Sequence, residues 1–340
     1  MDLATIKHAA REKFKGSCRV CPICNGIACI GNIPGMGGRG TGAAFHHNVA
    51  ALADYRFNLR VVHNVSQPVL SRQVLGIELA LPIIGAPIAG IATNMNNALT
   101  EQEYNMAVVT GCCQSGSIAM TGDGSYPQQF ECGLAAVKAM GGKGIPVIKP
   151  RETGKVIEMA KRAAEAGALA FGMDIDAAGF FDMANAGQPV GPKTQAELAK
   201  IKEKTSIPFI VKGIMAPEDA KACLAAGVDA IVVSNHGGRA LDHLPGTAEV
   251  LPFIAEAVQG KITILVDGGI RSGGDVLKML ALGADAVLVG RPLAIGAVGG
   301  QAQGVELVLK KIADELRTAM VLTGTADVAA VSQRIICRGR

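Results

Sequence analysis

One short stretch of this sequence, VVSNHGGRALD, brings together side chains suited to proton transfer and to anion binding. His236 and Arg239 stand three residues apart, directly after an apolar run. An imidazole exchanges a proton near neutral pH, and a planar guanidinium matches the geometry of a carboxylate or a phosphate. A single histidine is more often a satisfied core residue, so the significance of this pair depends on the elements that carry it.

Eight apolar runs alternate with segments of helical period from about residue 80 onward. The runs are LPIIGAP (81–87), SGSIAMT (115–121), IPVIKP (145–150), ALAFGMDI (168–175), IPFIVKG (207–213), DAIVVSN (229–235), ITILVDGG (262–269) and ADAVLVG (284–290). Helices with clear ends lie between them, for example from Pro217 to Gly227 and from Thr153 to Gly167. Near-continuous apolar strands that alternate with helices indicate a parallel sheet buried on both faces. Eight such units predict an α/β fold, a closed TIM (β/α)8 barrel.

The end of the chain predicts an outer helix that closes this barrel. The segment VELVLKKIADELRTAMVLTG places five apolar side chains on one face, those of Val305, Val308, Leu309, Ile312 and Leu316.

A doubly wound nucleotide fold is the alternative, because Gly35, Gly37 and Gly40 in GMGGRG match the pattern GxGxxG. That pattern indicates a dinucleotide site only when it follows a strand and precedes an acidic residue about twenty positions on. Here it follows cysteines and no such acidic residue ends a second strand. The stretch is therefore interpreted as a flexible Gly-rich connection.

The carboxyl ends of the predicted strands carry many charges. In a barrel of this kind, functional side chains occupy these ends and the loops that follow. The polar residues there are Thr121, Lys149, Asp174, Lys212, Ser234, His236, Arg239, Asp267, Arg271 and Arg291. Collecting such charges in one space costs free energy unless an anionic ligand shares it. The pattern therefore predicts an anionic ligand at this end of the barrel.

Two glycine-rich loops follow the seventh and eighth runs, namely DGGIRSGGD (267–275) and LVGRP (288–292). Backbone N–H groups and a helix N-terminus bind phosphate at this position in many barrels. Tight turns alone would also explain the glycines. Two adjacent loops that each contain an arginine favour the phosphate interpretation.

VSNHGGRALD, with IVKGIMAPEDAKACLAAGVDAIV before it and DGGIRSGGDVLKMLALGADAVLVGRP after it, closely resembles a known family. This is the family of FMN-dependent α-hydroxy-acid oxidases and dehydrogenases, which includes glycolate oxidase, lactate oxidase and FMN-linked lactate dehydrogenase. The resemblance is dense from Ile207 to Pro292 and is traceable through residues 45–65 and 75–90. It implies FMN as cofactor and the oxidation of a 2-hydroxy carboxylate, lactate-like or more acidic, to the 2-oxo acid. It also implies an FMN-binding barrel over residues 76–340, with residues 1–75 as a helical and Cys-rich extension packed on it.

The resemblance implies roles for the reacting groups. His236 would be the base that takes a proton from the substrate while the hydrogen on the substrate Cα leaves toward the flavin. Arg239 would bind the substrate carboxylate through its guanidinium fork. Asp174 would orient His236 and stabilise the imidazolium. Gly237 and Gly238 would allow the backbone to approach substrate and flavin closely.

The resemblance also implies the cofactor contacts. Lys212 is similar to the lysine beside flavin N1 and O2, where a fixed positive charge stabilises the reduced ring. Ser234 and Thr121 would hydrogen-bond the flavin or its ribityl chain. The remaining cofactor contacts would be Pro87, Ala89, Lys149, Asp267 and the phosphate-binding group of Gly268, Gly269, Arg271, Gly290 and Arg291.

The sequence departs from the family pattern in three places. The third strand of the family ends in Gln-x-Tyr, whereas Lys149, Pro150 and Arg151 stand here. We therefore expect Arg151 to bind substrate and to favour a larger or more acidic anion. Gly172 replaces a threonine two residues before Asp174. The tyrosine-bearing N-terminal segment of the family is absent, and a cysteine cluster stands in its place.

That cluster is CRVCPICNGIAC, in which four of the nine cysteines follow the spacing C-x2-C-x2-C-x4-C. They are Cys18, Cys21, Cys24 and Cys29. Thiolate quartets bind iron–sulfur clusters or zinc, and the first three cysteines match a ferredoxin-type run. A thiol redox role and plain structural cysteines are the alternatives. A bound cluster could pass electrons to an external partner, so the electron acceptor need not be oxygen.

Other cysteines and histidines are candidates for additional ligands. Cys112 and Cys113, ahead of the second strand, could reach the cluster. His46 and His47 could also add ligands, although a solvated helix face is the simpler interpretation.

Composition bounds the remaining possibilities. The 340 residues carry a net charge of only +4 and 49% hydrophobic residues, without clustered Lys and Arg. Nucleic acid is therefore not an expected partner. No apolar run is long enough to span a membrane, and MDLATIKHAAREKFKG lacks the apolar centre of a signal peptide. We expect a cytoplasmic protein and, from the resemblance, a homo-oligomer, either a tetramer or an octamer.

Two alternative functions stay open at this point. The first is a flavin enzyme on the same scaffold that acts on a different anionic substrate. The second is a redox-sensing or electron-carrying flavoprotein that uses the cysteines. A base and a carboxylate clamp argue against the second, because an electron carrier needs neither.

Overall fold

Short strands of mainly apolar residues supply the framework of this chain, whose computed structural model describes residues 2–339. In chain order the strands are β1 Tyr55–Phe57, β2 Arg72–Val74, β3 Ile77–Leu79, β4 Ile83–Gly85, β5 Ile118–Thr121, β6 Gly144–Ile148, β7 Phe171–Asp174, β8 Phe209–Ile214, β9 Ala230–Val233, β10 Thr263–Val266, β11 Ala286–Val289 and β12 Ile336–Arg338.

Strands β4 to β11 form a closed parallel barrel in sequence order, with β11 pairing back onto β4. Each of the eight predicted apolar runs overlaps one of these strands, so the predicted TIM barrel is confirmed. The registers bring residues at the strand ends side by side. Asp174 at the end of β7 lies opposite Lys212 of β8, and a register irregularity follows Lys212.

The floor of the barrel is closed by a hairpin. Strands β2 and β3 pair antiparallel across the turn at Leu75 and Gly76. Val74 and Leu79 of this hairpin belong to the same buried cluster as the inward-facing side chains of the barrel, such as Ile84 and Leu288. The predicted division at residue 75 falls in this turn and stays a prediction.

Helices surround the barrel. Their bounds are α1 Leu3–Phe14, α2 Ala43–Asp54, α3 Ile91–Asn94, α4 Glu101–Gln114, α5 Pro127–Ala139, α6 Thr153–Glu165, α7 Phe181–Asn185, α8 Gln195–Glu203, α9 Pro217–Ala225, α10 Thr247–Val258, α11 Gly273–Ala281 and α12 Arg291–Thr323. The starts predicted at Thr153 and Pro217 are confirmed. Within residues 2–339, no helix combines the length and the apolarity that a membrane crossing needs.

Helix α12 closes the barrel on the outside, as predicted. All five of the apolar residues predicted on one face are buried: Val305, Val308, Leu309, Ile312 and Leu316. The backbone leaves helical geometry at Gly300 and Gln301, so α12 consists of two helical pieces joined by a kink. The first piece begins at the end of β11 and therefore points its N-terminus at the mouth of the barrel.

The Gly-rich stretch between α1 and α2 differs from the prediction. It is not a free connection but is fastened to the loop after β9. The backbone N–H of Arg39 donates to the carbonyl of Gly238 at 2.8 Å, and the carboxylate of Asp242 accepts from the backbone N–H of Thr41 at 2.6 Å. A dinucleotide fold is excluded by the closed barrel.

Candidate active site

His236 lies in the loop after β9, where its backbone adopts a left-handed conformation with φ of 60°. Its backbone N–H donates to Ser234 Oγ at 3.0 Å. Its Nδ1 lies 3.0 and 3.1 Å from the two carboxylate oxygens of Asp176. When Nδ1–H donates to that carboxylate, Nε2 becomes the nitrogen free to accept a proton. The pair is a proton acceptor held by a carboxylate.

The carboxylate beside His236 differs from the one expected, which was Asp174. Strand β7 ends at Asp174, and the 3-10 turn Ile175–Gly179 carries Asp176 toward the loop after β9. Asp174 instead points between two lysines. One ligand atom from each of Asp174, Asp176 and His236 still falls within a 4.8 Å group, so both carboxylates lie close to the imidazole. The DxD spacing was the signal in the sequence for the second carboxylate.

Buried charges alternate along the strand ends inside the barrel. The carboxylate of Asp174 lies 2.7 Å from Lys149 Nζ and 3.2 Å from Lys212 Nζ, and Lys212 Nζ lies 3.6 Å from Asp267. Burial acts to raise the pKa of Asp174, but the two ammonium groups outweigh it and hold that pKa well below its ordinary value.

The same row of buried charges keeps the side chain of Lys212 positively charged inside the barrel. Burial acts to lower the pKa of Lys212, and the charges of Asp174 and Asp267 outweigh it and raise that pKa. Burial also raises the pKa of Asp267. Lys212 is therefore a permanent positive charge at the centre of the mouth.

Three arginines at the mouth have only neutral partners among residues 2–339. Arg239 donates from Nη1 to the carbonyls of Gly35 and Gly37, at 2.7 and 3.0 Å, and from Nη2 to Asn94 Oδ1 at 2.8 Å. Among residues 2–339, neither Arg239, Arg271 nor Arg291 forms an ion pair with a carboxylate. Removal from water, and then the charge of Arg39, lowers the pKa of Arg239 to about 10. The positive charge at the mouth is thus uncompensated.

Arg291 and Arg271 make the group more positive. Removal from water, and then the charges of Arg271 and Arg239, lowers the pKa of Arg291 to about 9. Within the described residues 2–339, two buried nitrogen atoms of Arg271, Nε and Nη2, have no hydrogen-bond partner. Unpaired buried donors of this kind are costly, so they indicate an anionic group that accepts from them. The N-terminus of α12 at Gly290 adds a further site of positive polarity.

These features fit the cofactor that the sequence implies. The phosphate-binding residues predicted from the sequence converge at the ends of β10 and β11, and Gly268 and Gly269 both have positive φ, 101° and 80°. Pro87 and Ala89 follow β4, and Thr121 is the last residue of β5. The two strand ends lie close together, because a Cβ on Gly122 would lie 2.8 Å from the backbone nitrogen of Ala89. The unpaired donors of Arg271 suit a phosphate group. The fixed charge of Lys212 suits a ring that accepts electrons.

Arg151, expected to bind substrate, is already neutralised. Its guanidinium forms a two-pronged ion pair with Asp123, and its Nε donates to Gln188 Oε1 at 2.8 Å. The side chains of Arg151 and Asp123 are 5% and 0% exposed. A pair so enclosed has no free charge for a substrate. Asp123 gives no signal in the sequence, because it stands in a loop.

Arg39 and Phe180 are two mouth residues that the sequence analysis missed. The Phe180 ring packs 5.4 Å from the His236 ring and 5.4 Å from Lys149 Nζ. Arg39 is exposed, lies 5.7 Å from the centroid of Phe180, and donates from Nε to the carbonyl of Arg239 at 3.1 Å. An exposed cation therefore stands at the entrance beside the histidine and Arg239.

The two glycines after His236 serve the protein's own packing. A Cβ on Gly238 would lie 2.4 Å from the backbone nitrogen of Phe45, and a Cβ on Gly237 would lie 2.8 Å from Arg291 Nη1. They bring α2 and Arg291 against the loop, and their predicted close approach to substrate and flavin stays a prediction.

The four clustered cysteines line one cavity together with Met36, Phe45 and Arg291. All four are free thiols that are partly buried. Burial raises the pKa of the Cys18 thiol to about 11. The other candidate ligands lie elsewhere: Cys112 packs against Gly85, Cys113 donates to the carbonyl of Lys143, His46 is exposed, and His47 bonds the carbonyl of Leu244.

Comparison with known proteins places this site in context. The model of the FMN-dependent dehydrogenase family matches residues 35–188 and 184–338. An L-lactate oxidase from Lactobacillus jensenii is 36% identical over 84% of this chain and 76% of its own length. The 2-hydroxyacid oxidase 1 of Homo sapiens is 30% identical over 85% of this chain and 87% of its own.

One solved structure of similar fold contains a form of FMN. It is a mandelate oxidase mutant with the C4a-OH-FMN adduct, with a TM-score of 0.81 and 31% sequence identity, covering 98% of this chain and 99% of that one. The cysteine cluster precedes the residues that the family model matches.

Proposed function

Because this chain belongs to the FMN-dependent dehydrogenase family, we propose that it oxidises a small 2-hydroxy carboxylate to the 2-oxo acid. The observation that carries the proposal is the His236–Asp176 pair, with a contact of 3.0 Å, beside arginines that lack carboxylate partners. A base next to a free anion site suits a substrate that bears both an acidic hydrogen and a carboxylate.

FMN, when bound, accepts the electrons that leave the substrate carbon. Lys212, Ser234 and Thr121 are the residues we assign to its ring and ribityl chain. We assign its phosphate to the N-terminus of α12 and to Gly268, Gly269, Arg271, Gly290 and Arg291. The permanent charge of Lys212 would stabilise negative charge on a bound flavin ring.

His236 is the residue that we assign to proton transfer. Its Nε2 accepts the proton from the substrate, and the carboxylate of Asp176 stabilises the imidazolium that forms. Asp174 contributes indirectly, because it holds the ammonium groups of Lys149 and Lys212 in place. Arg239 anchors the substrate carboxylate through a charge-assisted bidentate contact, which is stronger than its present bonds to carbonyl oxygens.

The substrate side chain meets Phe180 and Arg39 at the entrance. The expectation of a more acidic substrate rested on Arg151, which is paired with Asp123. Arg39 is the better candidate to favour an acidic substrate, because it is exposed and, among residues 2–339, no carboxylate pairs with it. We propose that a second carboxylate on the substrate binds there.

The cysteine quartet adds a metal site to this proposal. Four thiols around one cavity can bind an iron–sulfur cluster or zinc. With a cluster in place, the electron acceptor can be a one-electron carrier. The cytoplasmic location and the homo-oligomeric state stay predictions.

The test is anaerobic mixing of FMN-loaded protein with a panel of 2-hydroxy acids, followed through the flavin absorbance and the 2-oxo acid formed. We expect at least one acid to bleach the flavin, and His236→Asn to slow bleaching by about 100-fold or more while FMN stays bound. Asparagine suits the left-handed backbone at this position.

His243→Asn is a matched control. His243 also has positive φ, at 62°, follows in the same loop and has a side chain that is 74% exposed. This variant should bleach at the normal rate. A protein that retains FMN but is bleached by no 2-hydroxy acid would refute the proposed function.

A further inference from the structure

The cysteine cluster and the catalytic loop share one side chain, Arg291. It lines the cysteine cavity and places its guanidinium 3.8 Å from the centroid of Phe45. The same guanidinium donates to the carbonyls of Met36 and Gly37 in the Gly-rich stretch that follows the cysteines, and to the carbonyl of Gly237 beside His236, at 2.9, 3.2 and 3.1 Å. The cysteine site therefore borders the mouth of the barrel.

Charge indicates what the cavity accommodates. Among residues 2–339, the hydrogen-bond partners of the Arg291 guanidinium are all carbonyls, so no carboxylate balances its charge near the thiols. Four thiolates around either a zinc ion or a [4Fe–4S] core leave a net negative unit, which complements a neighbouring guanidinium. Neutral structural cysteines would leave the FMN phosphate assigned to Arg291 as its only counter-charge.

The spacing of the sulfurs favours one of the two metal options. A zinc ion holds four sulfurs at about 2.3 Å in a tetrahedron, which places them about 3.8 Å from one another. Among residues 2–339, no three of these thiols gather within 4.8 Å. A [4Fe–4S] cubane binds each thiolate at a different iron, so its four sulfurs stand further apart than around one ion.

The order of the ligands agrees with that choice. Cys18, Cys21 and Cys24 repeat the C-x2-C-x2-C run of ferredoxins, and Cys29 follows in the turn Ile27–Cys29. The last gap is one residue longer than in that run, and the turn Ile27–Cys29 at its end carries Cys29 to the shared cavity.

We propose that Cys18, Cys21, Cys24 and Cys29 bind a [4Fe–4S] cluster beside Arg291, and that this cluster is the exit for electrons from the catalytic site. The exit role rests on the proposed function; the cluster itself does not. Each substrate releases two electrons and two protons. The cluster changes by one electron at a time, so two successive transfers to a one-electron carrier, protein or dye, complete the balance, and both protons pass to solvent.

The binding test needs no substrate. Protein purified anaerobically, or reconstituted with iron and sulfide, should contain about four iron and four sulfide per chain. Cys24→Ala and the double variant C21A/C24A should lose most of this iron and sulfide yet retain FMN, which also reports correct folding. Cys337→Ser changes an exposed cysteine in β12 and should keep the full content. Stoichiometric zinc, or no metal after reconstitution, would overturn the proposal.

The exit test uses electron paramagnetic resonance. A 2-hydroxy acid that bleaches the flavin should produce the signal of a reduced cluster in the absence of air, and His236→Asn should remove that response while dithionite still elicits it. Flavin bleaching without any cluster signal would refute the exit role alone. A cluster in a protein that no substrate bleaches would refute the proposed function and leave the metal site standing.

Discussion

The two aspartates near His236 have different tasks, and exchanging each for asparagine separates them. Asp176 contacts the imidazole, whereas Asp174 contacts two ammonium groups. We expect Asp176→Asn to impair proton transfer and leave folding nearly unchanged. We expect Asp174→Asn to impair folding first, because it leaves two buried lysines without their shared carboxylate.

The magnitudes follow from these contacts. Asp176 holds His236 at 3.0 and 3.1 Å in a partly buried setting. A hydrogen bond to a charged group is worth about 1.5–3 kcal/mol, and about 1.4 kcal/mol corresponds to a tenfold change in rate. Asp176→Asn should therefore slow the reaction about 10- to 150-fold. Removing one partner from a buried ion pair costs about 3–5 kcal/mol of unfolding free energy, which sets the loss expected for Asp174→Asn.

The assay combines stopped-flow flavin reduction with urea unfolding of the same preparations. Flavin reduction reports the proton-transfer step, and the unfolding midpoint reports the ion pairs. The reasoning is refuted when Asp176→Asn reduces flavin at the normal rate, or when Asp174→Asn stops reduction without any loss of stability. The second outcome would return to Asp174 the role that the sequence analysis assigned to it.

Three further predictions concern charge. Arg39→Met should raise KM about 3- to 5-fold for a 2-hydroxy dicarboxylate and leave KM for the matching monocarboxylate unchanged, since exposed ion pairs contribute below about 1 kcal/mol. Equal KM shifts for both acids would contradict the assignment of Arg39. Arg151→Gln should lower the free energy of unfolding by about 3–5 kcal/mol without changing the preference for the dicarboxylate. The stabilisation from Asp174 should be complete above about pH 5 and disappear as pH falls below the ordinary aspartate pKa of about 3.9 toward its depressed folded value. Urea unfolding of the wild type and of Asp174→Asn between about pH 3 and pH 7 checks this, since their difference should shrink only at the acidic end; a difference that stays constant to the lowest pH would be inconsistent with it.

The barrel could be predicted from the sequence because its signal is local and repeated. Each strand is a short apolar run, and boundaries such as Pro217 and Thr153 carry their own helix signals. The convergence of Lys212, His236 and the arginines follows from the topology, since parallel strands of a closed barrel end on one side.

The pairings within the site could not be predicted in the same way. Which of Asp174 and Asp176 faces His236 depends on the turn after β7, where the alternation of a strand no longer applies. The partner of Arg151 lies 28 positions away in a loop. The sequence predicts a flexible Gly-rich stretch because the residues that hold it in place, Gly238 and Asp242, lie about two hundred positions further along the chain.

The carbonyl contacts of Arg239 have a consequence for discrimination among molecules that reach the mouth. Gly35, Gly37 and Asn94 accept hydrogen bonds from three of its five N–H groups and fix the direction of the guanidinium, and among residues 2–339 Nε–H and the second N–H of Nη2 have no partner. A carboxylate can accept from both of these donors at once in a charge-assisted fork. An ester or an amide of the same acid offers a neutral oxygen instead and binds more weakly. The protein thus screens for ionised acids before any bond is broken.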